Sequence, residues 1–189
     1  MMVGTKSILF GAHQFLLHPW FVVAAWWKLY GFPWDPRLWV AFFVHDLGYW
    51  GKPNMDGPEG ETHVLLGAEI LTRLFDRRQS GRCPYCRSWL NLGLFHSRFF
   101  AKNFEQPVSK LGIADKLSIV LTPAWLYLPM ARASGEIHEY MDLAKSGKYQ
   151  TMRINPTNYC RWYADVQEYL RRWVEDHRDG KEDTWTPEV

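Results

Sequence analysis

The sequence predicts an all-α protein, a single-domain bundle of about seven or eight helices. Three observations support this. Apolar residues recur at helical spacing along nearly the whole chain, and no clean period-two alternation appears. Two pairs, Asp35-Pro36 and Asn155-Pro156, have the signature of an N-cap followed by proline at the first helical position. The chain has 189 residues, 47% of them hydrophobic, enough for one well-filled core.

The elements follow in order. Pro19 sits in the first turn of a helix to about residue 30, where Gly31 ends it. Asp35 and Pro36 open the next, which runs to about residue 45 or 47, with Gly48 and Gly51 beyond. Residues 52–60 are a cluster of helix breakers. A helix is expected from about 61 to 77, and another opens at Pro84 or Tyr85 and reaches about 100. Pro107 precedes one that ends near Thr122-Pro123. Ser134 is a cap for a short helix to about 145, and Asn155 for a long amphipathic helix to about 178. Residues 181–189 are expected to form a flexible tail. No repeat, low-complexity segment or interior linker divides the chain.

Composition narrows the function. A net charge of +2 is too small to hold nucleic acid by electrostatics, so no stable nucleic-acid binding is expected. Three cysteines, an odd count without a secretory signal, point to a reducing, cytoplasmic setting. The strongest apolar run, residues 15–27, contains His18 and Pro19 and is shorter than the ~20 residues a membrane span needs, so it reads as a buried helix.

The chemistry lies in the histidines. A His-Asp pair alone means little: with seven His and ten Asp in the chain, chance supplies about 0.4 such pairs. But His18 shares a helical face with Val22, Ala25 and Trp26, and His45 follows Leu38, Ala41 and Phe42. His63 lies on the face of Gly67, Ile70 and Leu74, and His96 neighbours Leu92, Gly93 and Phe99. Asp115 sits one turn from Leu111 and Ile119. Any one of these is ordinarily a hydrogen-bonded core residue or a cap. Together they would bury four imidazoles and two carboxylates on apolar sides with too few cations to pair them all, and Lys116 is the only basic neighbour of Asp115. Buried carboxylates must be paired or bound to metal. One common solution is convergence on Fe, Mn, Co, Ni or Zn.

The order His18, then His45-Asp46, then His63, then His96, then Asp115 resembles the HD-domain superfamily of metal-dependent phosphohydrolases. "VHDLG" (44–48) resembles its signature, and "HVLLGAEIL" (63–71) is similar to the His helix of its dinuclear members. "FHSR" (95–98) fits the next His position, and "IADKLS" (113–118) resembles the closing Asp helix. The likeness covers about residues 11–123 of an HD-type domain spanning 1–180, and helices 124–180 match nothing recognised. His13 is a rival to His18, which is preferred for its spacing to Val22-Val23.

The resemblance implies two divalent transition metals, with Asp46 bridging them, and a small-molecule phosphate substrate. Asp46 would serve catalysis, with Lys116 orienting or protonating a leaving group. His45 and Asp46, about 100° apart in a regular helix, reach one centre only at a helix end or distortion, and Gly48 supplies such an end. Lys52, Arg98 and Lys102 are candidate phosphate ligands. Tyr49, Trp50 and Phe99 are candidates to stack a base or line the pocket. The chain departs from the family in having Tyr49 where a lysine is common, and it lacks the Gly-Tyr-Pro triplet of the cyclic-dinucleotide branch. The alternative class is a di-iron oxygenase cleaving a C–C or C–P bond with O2, which the same ligand set fits. A third is a helical module that binds metal or nucleotide without catalysis. "CPYC" (83–86) resembles a dithiol redox site, but no sheet is predicted beside it, and only Cys160 remains to complete a zinc site.

Overall fold

The computed structural model describes residues 1–76, 88–146 and 154–186. It is all-helical, with no strand among the described residues. Eleven α-helices are present there, more than expected: α1 (Val3–Phe10), α2 (His18–Tyr30), α3 (Pro36–Val44), α4 (Pro58–Glu61), α5 (Val64–Leu71), α6 (Ser88–Leu94), α7 (Arg98–Asn103), α8 (Lys110–Leu121), α9 (Ala124–Ser134), α10 (Glu136–Lys145) and α11 (Tyr159–His177). A 3-10 turn (Leu47–Tyr49) follows α3, and a π-helical turn (Thr72–Asp76) extends α5. The excess has local causes. Ser97 breaks the helix expected to reach residue 100, because its side chain caps Phe100 N of α7. The helix expected from 61 begins as a separate turn, α4, with His63 at the junction to α5.

Proline and side-chain oxygens set several starts. Asp35 accepts from Arg37 N with Pro36 at N1, as its dipeptide predicts. The second such pair is corrected: Asn155 accepts from Thr157 in a turn, and Asn158, three residues on, caps α11 by accepting from Arg161 N. Ser134 is likewise not a cap but the last residue of α9; Gly135, at φ +90, makes the turn into α10. A side chain would strain that left-handed backbone.

The main core packs α2 along α8, with α3, α5 and α6 beside them and Trp173 and Val174 of α11 closing it. A smaller aromatic core joins α9, α10 and α11 around Tyr127, Trp162 and Tyr163. α11 also satisfies the end of α8: Tyr163 Oη donates to the carbonyls of Ile119 and Thr122, and Gln167 Nε2 donates to those of Ile119, Val120 and Thr122. The chain after Pro123 thus fixes the helix that presents Asp115.

The expected flexible tail needs correction up to residue 186. Asp183 is buried and accepts from Trp173 Nε1 at 3.0 Å, from Arg98 Nε at 2.9 Å and from the backbone of Trp185 and Thr186. Trp185 packs on the main core. No single described helix is long and apolar enough to cross a membrane; α8 and α9 reach that length only as a pair bent by 106°. Cys83 and Cys86 lie outside the described residues.

Candidate metal centre

All six expected ligands, His18, His45, Asp46, His63, His96 and Asp115, are buried and come together. They fall into two groups. His18, His45, Asp46 and Asp115 each offer one atom, all within 4.8 Å of one another; Asp46, His63 and His96 do the same. Asp46 belongs to both, through different oxygens. Its Oδ2 lies 3.3 Å from His18 Nε2 and 3.2 Å from His45 Nε2. Its Oδ1 lies 3.5 Å from His96 Nε2 and 3.8 Å from His63 Nε2. Asp115 Oδ1 completes the first group at 3.1 Å from His18 Nε2 and 3.8 Å from His45 Nε2.

The backbone makes this convergence possible. α3 ends at Val44, His45 keeps helical angles, and Asp46 turns to φ −96, ψ −1 before the 3-10 turn. That distortion lets adjacent side chains address one centre. His63 sits at the α4–α5 junction and His96 between α6 and α7, so each leaves its chain at a break. Two glycines permit the close packing. A Cβ on Gly48 would lie 1.9 Å from the carbonyl oxygen of His63, and one on Gly112 would lie 2.6 Å from that of His96. Ser97 Oγ donates to Glu61 Oε2, tying the His63 segment to the His96 segment.

Three rings are oriented alike. Nδ1 of His45, His63 and His96 lies 2.9, 2.8 and 2.5 Å from the carbonyls of Phe42, Gly60 and Gly93, each three residues earlier. A carbonyl only accepts, so each Nδ1 carries a proton and each ring turns its Nε2 inward. Tyr49 stacks on His63 at 3.9 Å, so it braces a ligand instead of waiting for a base.

The donor set fits a metal on its own chemistry. Eight buried side-chain polar atoms lack a hydrogen-bond partner among the described residues, and four of them are the first group: His18 Nε2, His45 Nε2, Asp46 Oδ2 and Asp115 Oδ1. Orphaned buried donors and acceptors cost stability, and four in one place call for a shared partner. In the second group, His63 Nε2 and His96 Nε2 face each other at 3.1 Å. With both Nδ1 protons committed to carbonyls, two lone pairs would confront one another unless a cation or proton lay between them.

The electrostatics agree. Burial pushes the Asp46 carboxyl up, but His45, His18 and His96 outweigh it and hold the group well below its usual range. Burial acts the same way on Asp115, and Lys116, with His18 and His45, overcomes it. Burial lowers His45, yet Asp46 and Asp115 raise it to about 10. Burial and then His96 hold His63 well below its usual value. Two ionised carboxylates in a buried site attract positive charge.

The expected substrate contacts divide. Lys116 is at the centre, its Nζ donating to Asp115 Oδ2 at 2.7 Å; burial lowers that ammonium, but Asp115 outweighs it and raises it. Lys52 donates to Thr62, next to His63. Arg98 and Lys102 are committed elsewhere. Arg98 pairs with Asp183, donates to Tyr169 Oη at 2.7 Å and lies over the Trp173 ring, while Lys102 donates to the Thr186 carbonyl. Each therefore spends at least one donor on the C-terminal half of the chain. Trp50 is exposed and Phe99 packs on Phe100.

A part-buried dyad stands beside the centre. His13 lines the same cleft as His18, His45 and Asp46, its ring centroid 5.5 Å from that of His18. His13 Nδ1 lies 3.0 Å from Glu136 Oε2 and from Ser7 Oγ, leaving Nε2 for the cleft. Ala12 N and Ser134 Oγ also donate to Glu136, which is fully buried. In sequence, His13 reads only as a rival ligand, and nothing local links it to Glu136, 123 positions away.

Comparisons with protein-family models, curated proteins and solved structures find no match.

Proposed function

We propose that the protein is a metal-dependent phosphohydrolase of the HD type, acting on a nucleotide or other small phosphate ester. One observation supports this above the others: Asp46 turns one carboxylate oxygen to each of two buried donor groups. His18, His45, Asp46 and Asp115 would hold one ion, and Asp46, His63 and His96 a second. Two divalent ions bound there supply Lewis acidity, activating water and offsetting phosphoryl charge.

The chain's own residues would do the rest. Three rings locked by backbone carbonyls need no reorganisation to present Nε2. Tyr49 covers one face of His63 and keeps water from it. Lys116, still a quarter exposed, would orient a phosphoryl oxygen through the ammonium hydrogens that Asp115 leaves free. Lys52 is a second candidate for that contact. His13, steadied through Nδ1 by Glu136, would hold a proton at Nε2 for a leaving group.

Protein loaded separately with Mn, Co, Ni, Fe or Zn should hydrolyse members of a nucleotide and phosphate-ester panel, and Asp46→Ala should abolish this. Inertness towards the whole panel, with two ions bound per chain, would sink the reading. One feature favours the di-iron oxygenase instead: Phe15, Phe43 and Leu47 make the cleft wall apolar, and two expected phosphate ligands spend donors on Asp183 and Thr186. Iron as the metal of the isolated protein, with an O2-dependent spectral change, would shift the assignment to that class.

A further inference from the structure

α2 is apolar nearly all the way round: besides His18, Lys28 is its one charged side chain. A helix of that kind is ordinarily covered on every side. Here the cover is one-sided. Val22, Ala25 and Trp26 are buried in the main core, while Trp20, Ala24 and Trp27, at the i, i+4, i+7 spacing of a single stripe, are exposed. Trp20 is 54% and Trp27 59% exposed. The stripe continues into the α2–α3 connection and α3. Trp27 meets Phe32 edge-on at 5.5 Å, Phe32 meets Trp34 at 4.7 Å and Trp39 at 6.2 Å, and Trp39 meets Trp20 edge-on at 6.1 Å. These five rings form one surface, in which Trp34 is 84% and Phe32 38% exposed. The charges beside it cancel within the chain: Arg37 pairs with Asp35 at 2.6 Å. Lys28, about 100° round the helix from Trp27, stands at its edge.

Two features select the occupant. The first is area. At about 150–250 Å² per aromatic side chain, the four exposed rings leave roughly 550 Å² open to solvent. Two such faces together would hide about 1,100 Å², above the ~1,000 Å² that a specific interface needs. The second is composition. Interfaces between transient partners are about as polar as the rest of a protein surface, and those between identical chains are the more apolar class. A face whose charges cancel also meets itself without repulsion.

We infer that the outer face of α2 is the interface between two copies of this chain. Ala24 lies between the two tryptophans of the stripe, four residues after Trp20 and three before Trp27. Two α2 helices crossing antiparallel at Ala24 would set Trp20 of each copy against Trp27 of the other, and the small side chain lets the backbones approach. A twofold axis through that crossing closes the assembly at a dimer. The inference goes beyond the phosphohydrolase reading and does not rest on it.

Analytical ultracentrifugation of the full chain tests this. At ~100 μM, above the micromolar end of affinities for interfaces of this size, the parent should sediment with twice its chain mass of 22.3 kDa. Ala24→Glu puts an unpaired charge at the crossing on both copies and should sediment as a monomer with the parent's helical circular dichroism. Trp27→Ser should raise the dimer Kd by about thirtyfold, the scale of a hot-spot tryptophan. Trp125→Glu, at a 76% exposed tryptophan on α9, should leave the dimer intact. A parent chain that stays monomeric would overturn the inference; if that monomer sediments with phosphatidylcholine vesicles, a lipid surface is the occupant instead. A dimer that survives both Ala24→Glu and Trp27→Ser, or that Trp125→Glu dissolves, would place the interface elsewhere and overturn it too.

Discussion

Asp46 is where the two donor groups meet, and single substitutions should separate them. His63→Ala or His96→Ala should leave about one metal per chain, in the first group, and Asp115→Ala or His18→Ala should spare only the second. Asp46→Ala should lose both. Elemental analysis of the purified variants measures this; an unchanged metal content in Asp46→Ala would contradict the centre. All six candidate ligands are legible in the sequence, because each is a polar group set among apolar neighbours at helical spacing. The partners of Arg98, Lys102 and His13 are not. Arg98 reads as a free cation beside His96 until Asp183, 85 residues later, is seen against it. Glu136 is hidden the same way, since only tertiary packing brings it to His13 and Ser7.

At the scale of elements, the C-terminal segment braces the site from behind. Asp183 joins α7 to α11 through Arg98 and Trp173, and α11 in turn holds the carbonyls that end α8. Burial raises the Asp183 carboxyl, but Arg98 outweighs it and holds the group below its usual value. A carboxyl lowered in the folded state stabilises fully above its unfolded value of about 3.9, and that contribution drains away as pH falls through the folded value. Asp183→Asn should therefore cost about 3 kcal/mol at neutral pH, and its difference from the parent protein should shrink below about pH 4. Denaturant titrations at several pH values measure both; a gap independent of pH would show that the carboxylate charge plays no part. Helix starts marked by Asp35-Pro36 are readable because cap and proline are adjacent in sequence. The break at Ser97 is not. A serine between His96 and Arg98 carries no helix-breaking signature of its own, and only the folded chain shows its side chain capping α7.

Across the molecule, the centre gathers ligands from the start of α2, the end of α3, the α4–α5 junction, the α6–α7 junction and the middle of α8. Ions bound only by the folded state would stabilise the whole fold at once, by about 2.7 kcal/mol when free metal is a hundredfold above its Kd. Stripping with a chelator should lower Tm in one cooperative step, and readdition should restore it; calorimetry checks this. An unchanged Tm would mean that the ligands do not hold metal. By itself the sequence determined the helical class, the six candidate ligands and their order, because periodicity acts within a few residues. Only the tertiary structure decided which oxygen of Asp46 faces which group, where the cations go and what shapes the cleft. Those outcomes depend on side chains brought together from distant segments, and no local spacing encodes them.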